Sequence, residues 1–130
     1  MSVSLAAVLA ESAVRRPNHP AIALGPRKVT YAELWVRARQ YAAVLRDHGI
    51  GAGDKVALLL SNTPDFPMAY FGVLALGAVV VPIHSLLRAG EIEHILRDSG
   101  VKLLVFSRWR KPTRDGRRSS ARTRVARRCR

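Results

Sequence analysis

The sequence carries one cysteine, Cys129, so it forms no internal disulfide framework and no multi-cysteine zinc site, which fits a reducing cytoplasm. A basic segment ahead of the first apolar residues is also missing, and Glu11 interrupts those residues, so no secretory leader is expected. There is no G-x-S-x-G nucleophile elbow and no Walker A loop. Carboxylate pairs are equally scarce, because Glu91 and Glu93 fall on different faces of one predicted helix. None of the four histidines, His19, His48, His84 and His94, stands at metal-ligand spacing from another or from the cysteine. Acids are rare at the end of the chain, where residues 107–130 hold 11 basic residues and Asp115 alone against them. The net charge of +13 is therefore local: Met1 to Phe106 balances 11 basic residues with 8 acids and reads as an ordinary globular body.

What is present is organised around Asp54 to Pro82. Val56 to Leu60 and Val79 to Val81 are continuous apolar runs of the kind buried on both sheet faces, and Asp65 to Leu76 between them has helical period. This predicts a β-α-β unit of a parallel sheet. Thr63 is read as the helix cap, Pro64 as the first helical residue, Asp65 as its dipole partner and Gly77 as its end. Phe66, Ala69, Tyr70, Val73 and Leu74 form one stripe, while Met68, Phe71 and Leu76 make the other side apolar too. The helix is thus expected to need cover beyond one sheet face, from a second layer or a partner. The uncharged stretch from Phe66 to Leu87 is long enough to cross a bilayer, but Gly77 and Pro82 break it where a strand fits, and no basic cluster flanks it. No transmembrane segment is predicted.

Around this unit, Ser4 to Arg16 reads as a helix with Leu5, Val8 and Leu9 inward, stopped by Pro17. Ala21 to Leu24 and Lys28 to Thr30 read as a hairpin across Gly25-Pro26. Thr30-Tyr31-Ala32-Glu33 is a capping box opening a helix whose apolar face is Tyr31, Leu34, Trp35, Ala38, Tyr41, Ala42 and Leu45. The glycine-rich loop from Gly49 to Asp54 follows a helix and opens a strand, the reverse of a dinucleotide loop, and is read as a plain turn. Glu91 to Ser99 predicts a short helix with Ile92, Ile95 and Leu96 inward, and Val101 to Phe106 a third strand. The fold class is α/β, a parallel-sheet layer formed by residues 1–106. From Ser107 the apolar period vanishes and residues 107–130 are read as a disordered Arg-rich tail. Two positions lie where open α/β sheets gather ligands, beyond the carboxyl ends of strands: His84, and Ser61-Asn62-Thr63, the latter favoured as a helix cap.

Thr30 to Leu34, Gly51 to Asn62, Ala69 to Leu74, Gly77 to Ile83 and Asp98-Ser99-Gly100, in this order, resemble the start of the AMP-forming acyl-CoA synthetases, with fatty-acid CoA ligases nearest. The resemblance spans about Ser4 to Phe106. It implies an adenylate-forming enzyme that uses ATP and magnesium to make an acyl-adenylate and then passes the acyl group to CoA. It also implies that this sequence corresponds to the beginning of a large N-terminal domain. The family's phosphate loop ending in Pro-Lys-Gly, its acidic ribose and metal motifs and its catalytic lysine match nothing here. No catalytic, cofactor-binding or metal-ligating residue is carried over, no cofactor is expected for this stretch alone, and activity by itself is not expected. Arg88 stands where the family often has a capping threonine. The arginine- and serine-rich ending does not resemble the family and has the composition of a frameshifted GC-rich reading frame. Two roles beyond catalysis follow as expectations, pairing with a separately encoded remainder of a synthetase and self-association of a marginal domain with a trypsin-sensitive tail. The tail cations and Trp109 could neutralise phosphates and stack on a base, but charge alone gives weak attachment rather than a role, so a nucleic-acid partner is not expected.

Overall fold

The structure is a computed structural model that describes residues 4–60, 63–84, 86–108 and 122–127. Helix α1 (Leu5–Arg15) begins at Ser4, whose hydroxyl accepts the Ala6 amide, and ends before Pro17. Strands β1 (Pro20–Leu24) and β2 (Arg27–Thr30) pair antiparallel as the expected hairpin, turning at Gly25 with φ of 56°. Helix α2 (Tyr31–Asp47) starts at Thr30, whose Oγ1 accepts the Glu33 amide at 3.2 Å, so the cap read from the sequence is formed.

The β-α-β-α-β body follows as β3 (Lys55–Leu59), α3 (Asp65–Ala75), β4 (Val79–Pro82), α4 (Ala89–Asp98) and β5 (Leu103–Arg108). Strand β3 is central, pairing parallel with β4 on one side and β5 on the other. The assigned start of α3 falls one residue later than read, with Pro64 rather than Thr63 at the cap position. At the start of α4, the Arg88 amide donates to Glu91 Oε2 at 3.1 Å, so the glutamate side chain satisfies the cap residue's own N–H.

The sheet alternates along each strand as period two requires. Val56, Leu58, Leu60, Leu103 and Val105 pack with Ala69 and Val73 of α3, while Ala57 and Ile83 pack with Ile92, Ile95 and Leu96 of α4. The second apolar side of α3 is covered within this chain. Met68 and Phe71 join Leu9 of α1, Val29 of β2 and Leu34 and Ala38 of α2 in a separate core. Helices α2 and α3 meet at Gly72, where an added Cβ would lie 2.7 Å from Tyr41 Cβ and 2.9 Å from the Ala38 carbonyl oxygen. The missing layer inferred from α3 is therefore α1, α2 and the hairpin.

Two readings change. Helix α1 buries Ala6, Leu9 and Ala13, while Leu5 and Val8 are half exposed, because the small side chains allow close approach to α2 and α3. The tail expected to be without order contributes strand β6 (Arg122–Arg127), antiparallel to β5. The four-stranded sheet is ordered β4-β3-β5-β6, and β5 itself runs past the Phe106 boundary to Arg108. Backbone pairing with an existing edge compensates for the lack of apolar residues there. Residues 109–121 and 128–130 of the tail, with Trp109 and Cys129, lie outside the described residues.

Candidate functional site

The carboxyl ends of β3, β4 and β5 lie together at one end of the sheet because the three strands are parallel. Of the residues read there from sequence, Ser61 and Asn62 lie outside the described residues. The Thr63 carbonyl accepts the Phe66 amide at 3.1 Å, placing that residue in the first turn of α3. His84 is exposed, its Nδ1 accepts the Leu86 amide at 3.1 Å and its carbonyl accepts the Leu87 amide at 3.2 Å. Its ring organises the turn into α4. The other histidines are spent similarly: His48 Nδ1 lies 2.8 Å from the Val44 carbonyl, His19 Nδ1 3.1 Å from the Pro20 carbonyl, and His94 Nε2 3.0 Å from Asp98.

Among the described residues no three His, Cys, Asp or Glu side chains group to hold a metal ion. No helix among them is long and apolar enough to cross a membrane.

The glycine loop does not fit a nucleotide phosphate. The amides of Gly49, Ile50 and Gly53 donate to the carbonyls of Arg46, Leu45 and Gly77, and that of Asp54 to Gly51, at 2.9 to 3.2 Å. The Gly51 amide donates to Asp54 Oδ2 at 2.8 Å, so a carboxylate already fills the concavity. Lys102 Nζ closes the arrangement, donating to the Gly49 carbonyl at 2.7 Å and lying 3.4 Å from Asp54. The plain-turn reading holds, and the loop ties α2 to β3 and β5.

The Gly51 amide, with Lys102 in support, holds the Asp54 carboxyl below its ordinary value of 3.8. A depressed folded-state pKa adds stability that is present above the unfolded value and is lost as pH falls through the folded one. Asp54→Asn is therefore expected to destabilise at pH 7, with the gap to wild type closing below about pH 3.8. Denaturant midpoints of both proteins across pH 2.5 to 7 check this, and a gap independent of pH would contradict it.

One cleft was not legible in the sequence. It encloses about 400 Å³ on the α2–α3 seam, lined by Arg27, Arg37, Gln40, Tyr41, Asp65 and Met68 with Val44 and Leu45. The Tyr41 hydroxyl donates to Asp65 Oδ1 at 3.2 Å, and Arg37 Nη1 to Gln40 Oε1 at 3.3 Å. Among the described residues that line the cleft there is no serine, cysteine or histidine, and the Tyr41 hydroxyl is held by the Asp65 carboxylate. Its signal in the sequence was the polar residues of α2 between the apolar positions, which period alone assigns to solvent.

Comparison with known proteins supplies what the geometry leaves open. The family described as AMP-binding enzyme matches residues 9–128. A long-chain-fatty-acid–CoA ligase of Bacillus subtilis is 35% identical over 102 residues, covering 78% of this chain and 18% of that protein. The long-chain-fatty-acid–CoA ligase FadD13 of Mycobacterium tuberculosis is 40% identical over 94 residues, covering 72% of this chain and 19% of that protein. Among solved structures, the inhibitor-bound N-terminal domain of FACL13 from Mycobacterium tuberculosis superposes with a TM-score of 0.77 at 36% identity, covering 81% of this chain and 27% of that one. The N-terminal subdomain of Klebsiella oxytoca NpsA gives 0.73 at 29% identity, covering 78% and 26%. The chain spans less than a fifth of the length of these two ligases. With the family match running through nearly all of the residues that build the three cores and the sheet, the chain belongs to the AMP-binding enzyme family.

Proposed function

We propose that this chain forms the N-terminal part of an ATP-dependent fatty-acid or carboxylic-acid CoA ligase and that it is inactive on its own. The observation that carries the reading is the family match over residues 9–128 together with 35–40% identity to two long-chain-fatty-acid–CoA ligases. Adenylate formation requires positive charge and oriented donors on the transferring phosphate. The one glycine-rich loop here is closed by its own carboxylate, so the contribution of this segment is structural: a central strand with helices on both faces, onto which a catalytic centre would be built. The single cysteine fits a cytoplasmic setting.

The purified chain, incubated with ATP, magnesium, CoA and a long-chain fatty acid, is expected to release no AMP above a protein-free blank. Fatty-acid-dependent AMP release that disappears when the chain is immunodepleted would overturn the inactive reading.

A second reading, that the chain completes a separately encoded remainder of a synthetase, is favoured by one feature. Helix α4 has no fully buried residue, and Leu86 just before it is 85% exposed. Co-expression with a ligase lacking the matching segment tests it: co-purification with restored AMP release supports it, and two separate elution peaks refute it. The same column reads self-association, which open edges at β4 and β6 favour.

A further inference from the structure

We propose that the cleft on the α2–α3 seam binds a small organic monocarboxylate, a single negative charge on an apolar body. The site needs nothing from the ligase reading, since the residues that form it all lie in this chain. At about 400 Å³ the cleft has the size of a small-molecule site. Strand β2 supplies Arg27, α2 supplies Arg37, Gln40 and Tyr41, and α3 supplies Asp65 and Met68. Asp65 opens the helix that follows the carboxyl end of β3, so the cleft lies toward the end of the parallel strands where ligands collect.

Four observations select the ligand. First, the two cations lack an anionic partner among the described residues: Arg27 makes no hydrogen bond or ion pair, and Arg37 donates to the neutral Gln40 Oε1 at 3.3 Å. The planar fork of a guanidinium matches a carboxylate better than any other small anion of one charge. Second, Asp65 lines the same cleft but forms no ion pair with either arginine. Its Oδ1 accepts the Tyr41 hydroxyl at 3.2 Å, and its charge sits in the first turn of α3, where the helix dipole favours it. The acid is thus stabilised in place without consuming the cations. Third, two arginines against one aspartate leave the lining with one net positive charge, which accepts one negative charge and disfavours a second. A phosphate monoester, at about −1.5 to −2 near pH 7, suits it less well. Fourth, Met68 and Leu45 are at most 3% exposed and, with Val44, form an apolar wall, so the ligand needs an apolar body to gain from the cleft.

Calorimetric titration of the full chain with sodium benzoate at pH 7 is expected to saturate with a Kd of about 1 mM, the range that a ligand of this size reaches. Amide shifts at residues 27, 37, 40, 41 and 65 should follow the same curve. Acetate lacks the body, benzyl alcohol lacks the charge and phthalate carries a second charge, so each is expected to bind about tenfold more weakly or worse. These comparisons use the wild-type chain and so do not depend on any variant folding. Arg27→Gln and Arg37→Gln are each expected to weaken benzoate about tenfold, the effect of losing a charge-assisted pair. Arg46→Gln removes the same charge from α2 outside the cleft and should leave the Kd within about twofold. Val44→Trp fills the cleft without changing its charge and should abolish binding. All four positions are exposed, and an unchanged urea midpoint verifies each fold. No saturation by about 20 mM benzoate, benzyl alcohol as tight as benzoate, phthalate tighter, equal losses from Arg37→Gln and Arg46→Gln, or undiminished binding by Val44→Trp would each overturn the proposal. Acetate as tight as benzoate would also overturn it and mark the cleft as a seat for an aspartate or glutamate side chain.

Discussion

Gly72→Val is expected to destabilise the protein by about 3 kcal/mol or more, and Gly72→Ala by about 2 kcal/mol, although alanine alone improves helix propensity by about 1 kcal/mol. The reason is the α2–α3 seam. A Cβ at residue 72 would meet Tyr41 Cβ at 2.7 Å, the Ala38 carbonyl oxygen at 2.9 Å and the Ala42 amide nitrogen at 3.2 Å. None of these atoms can rotate away, because two are backbone and the third is the first atom of a side chain. The helices must separate, and Ala38, Met68 and Val29, which are at most 3% exposed, lose contact together. For a domain whose total stability is about 5–15 kcal/mol, such a loss moves the urea midpoint far outside error. An unchanged or higher midpoint for Gly72→Ala would show that the seam is looser than described.

Leu58→Ala is expected to cost about 3 to 4 kcal/mol, and Leu59→Ala about 1 to 2 kcal/mol, although the two residues are neighbours on one strand. Leu58 is fully buried at the centre of β3 and faces α3, with Val56, Leu103, Val105 and Val73 in the same core. Leu59 faces the other side, where α4 leaves every residue of its own partly exposed. A cavity under α3 cannot be filled, since strands lie on either side and a second helical layer lies behind. Under α4 the helix can settle toward the sheet. Urea titration of both variants measures the difference, and equal losses would mean that the two faces support the fold equally.

The elements that were readable in the sequence are those where local chemistry and burial agree. Thr30 and Glu33 mark the start of α2, the face from Leu34 through Ala38 to Leu45 follows helical period, and β3 is apolar on both sides because helices cover both sides. Helix α1 was misjudged where apolar residues ring the helix. Leu5 and Val8 look like a core by size, but close helix contact selects Ala6 and Ala13 beside Leu9, and size carries no information about approach distance. The cover of α3 was left open between a second layer and a partner because periodicity reports that a face is apolar and not which element meets it. Gly72 in the middle of that helix was the available clue, since a glycine tolerated there signals another backbone close by. Strand β6 was missed for a different reason: its residues have no inward face to advertise, and its place depends on the open edge of β5. The cleft at Arg27, Arg37 and Asp65 joins three elements distant in sequence, so no window of residues contains it.

The position of β3 in the sheet also sets an order of events during synthesis. Val56 pairs with Val80 on one side and with Leu103 on the other. The first partner emerges soon after β3, whereas the second follows about 50 residues behind it, roughly 3 to 10 seconds later at about 5–20 residues per second. For that interval the nascent chain presents Val56, Ala57 and Leu58 along a bare strand edge, although all three are fully buried at the end. The nascent chain therefore passes through its most adhesive stage just before β5 arrives, and that is when a chaperone at the ribosome would have the most surface to hold.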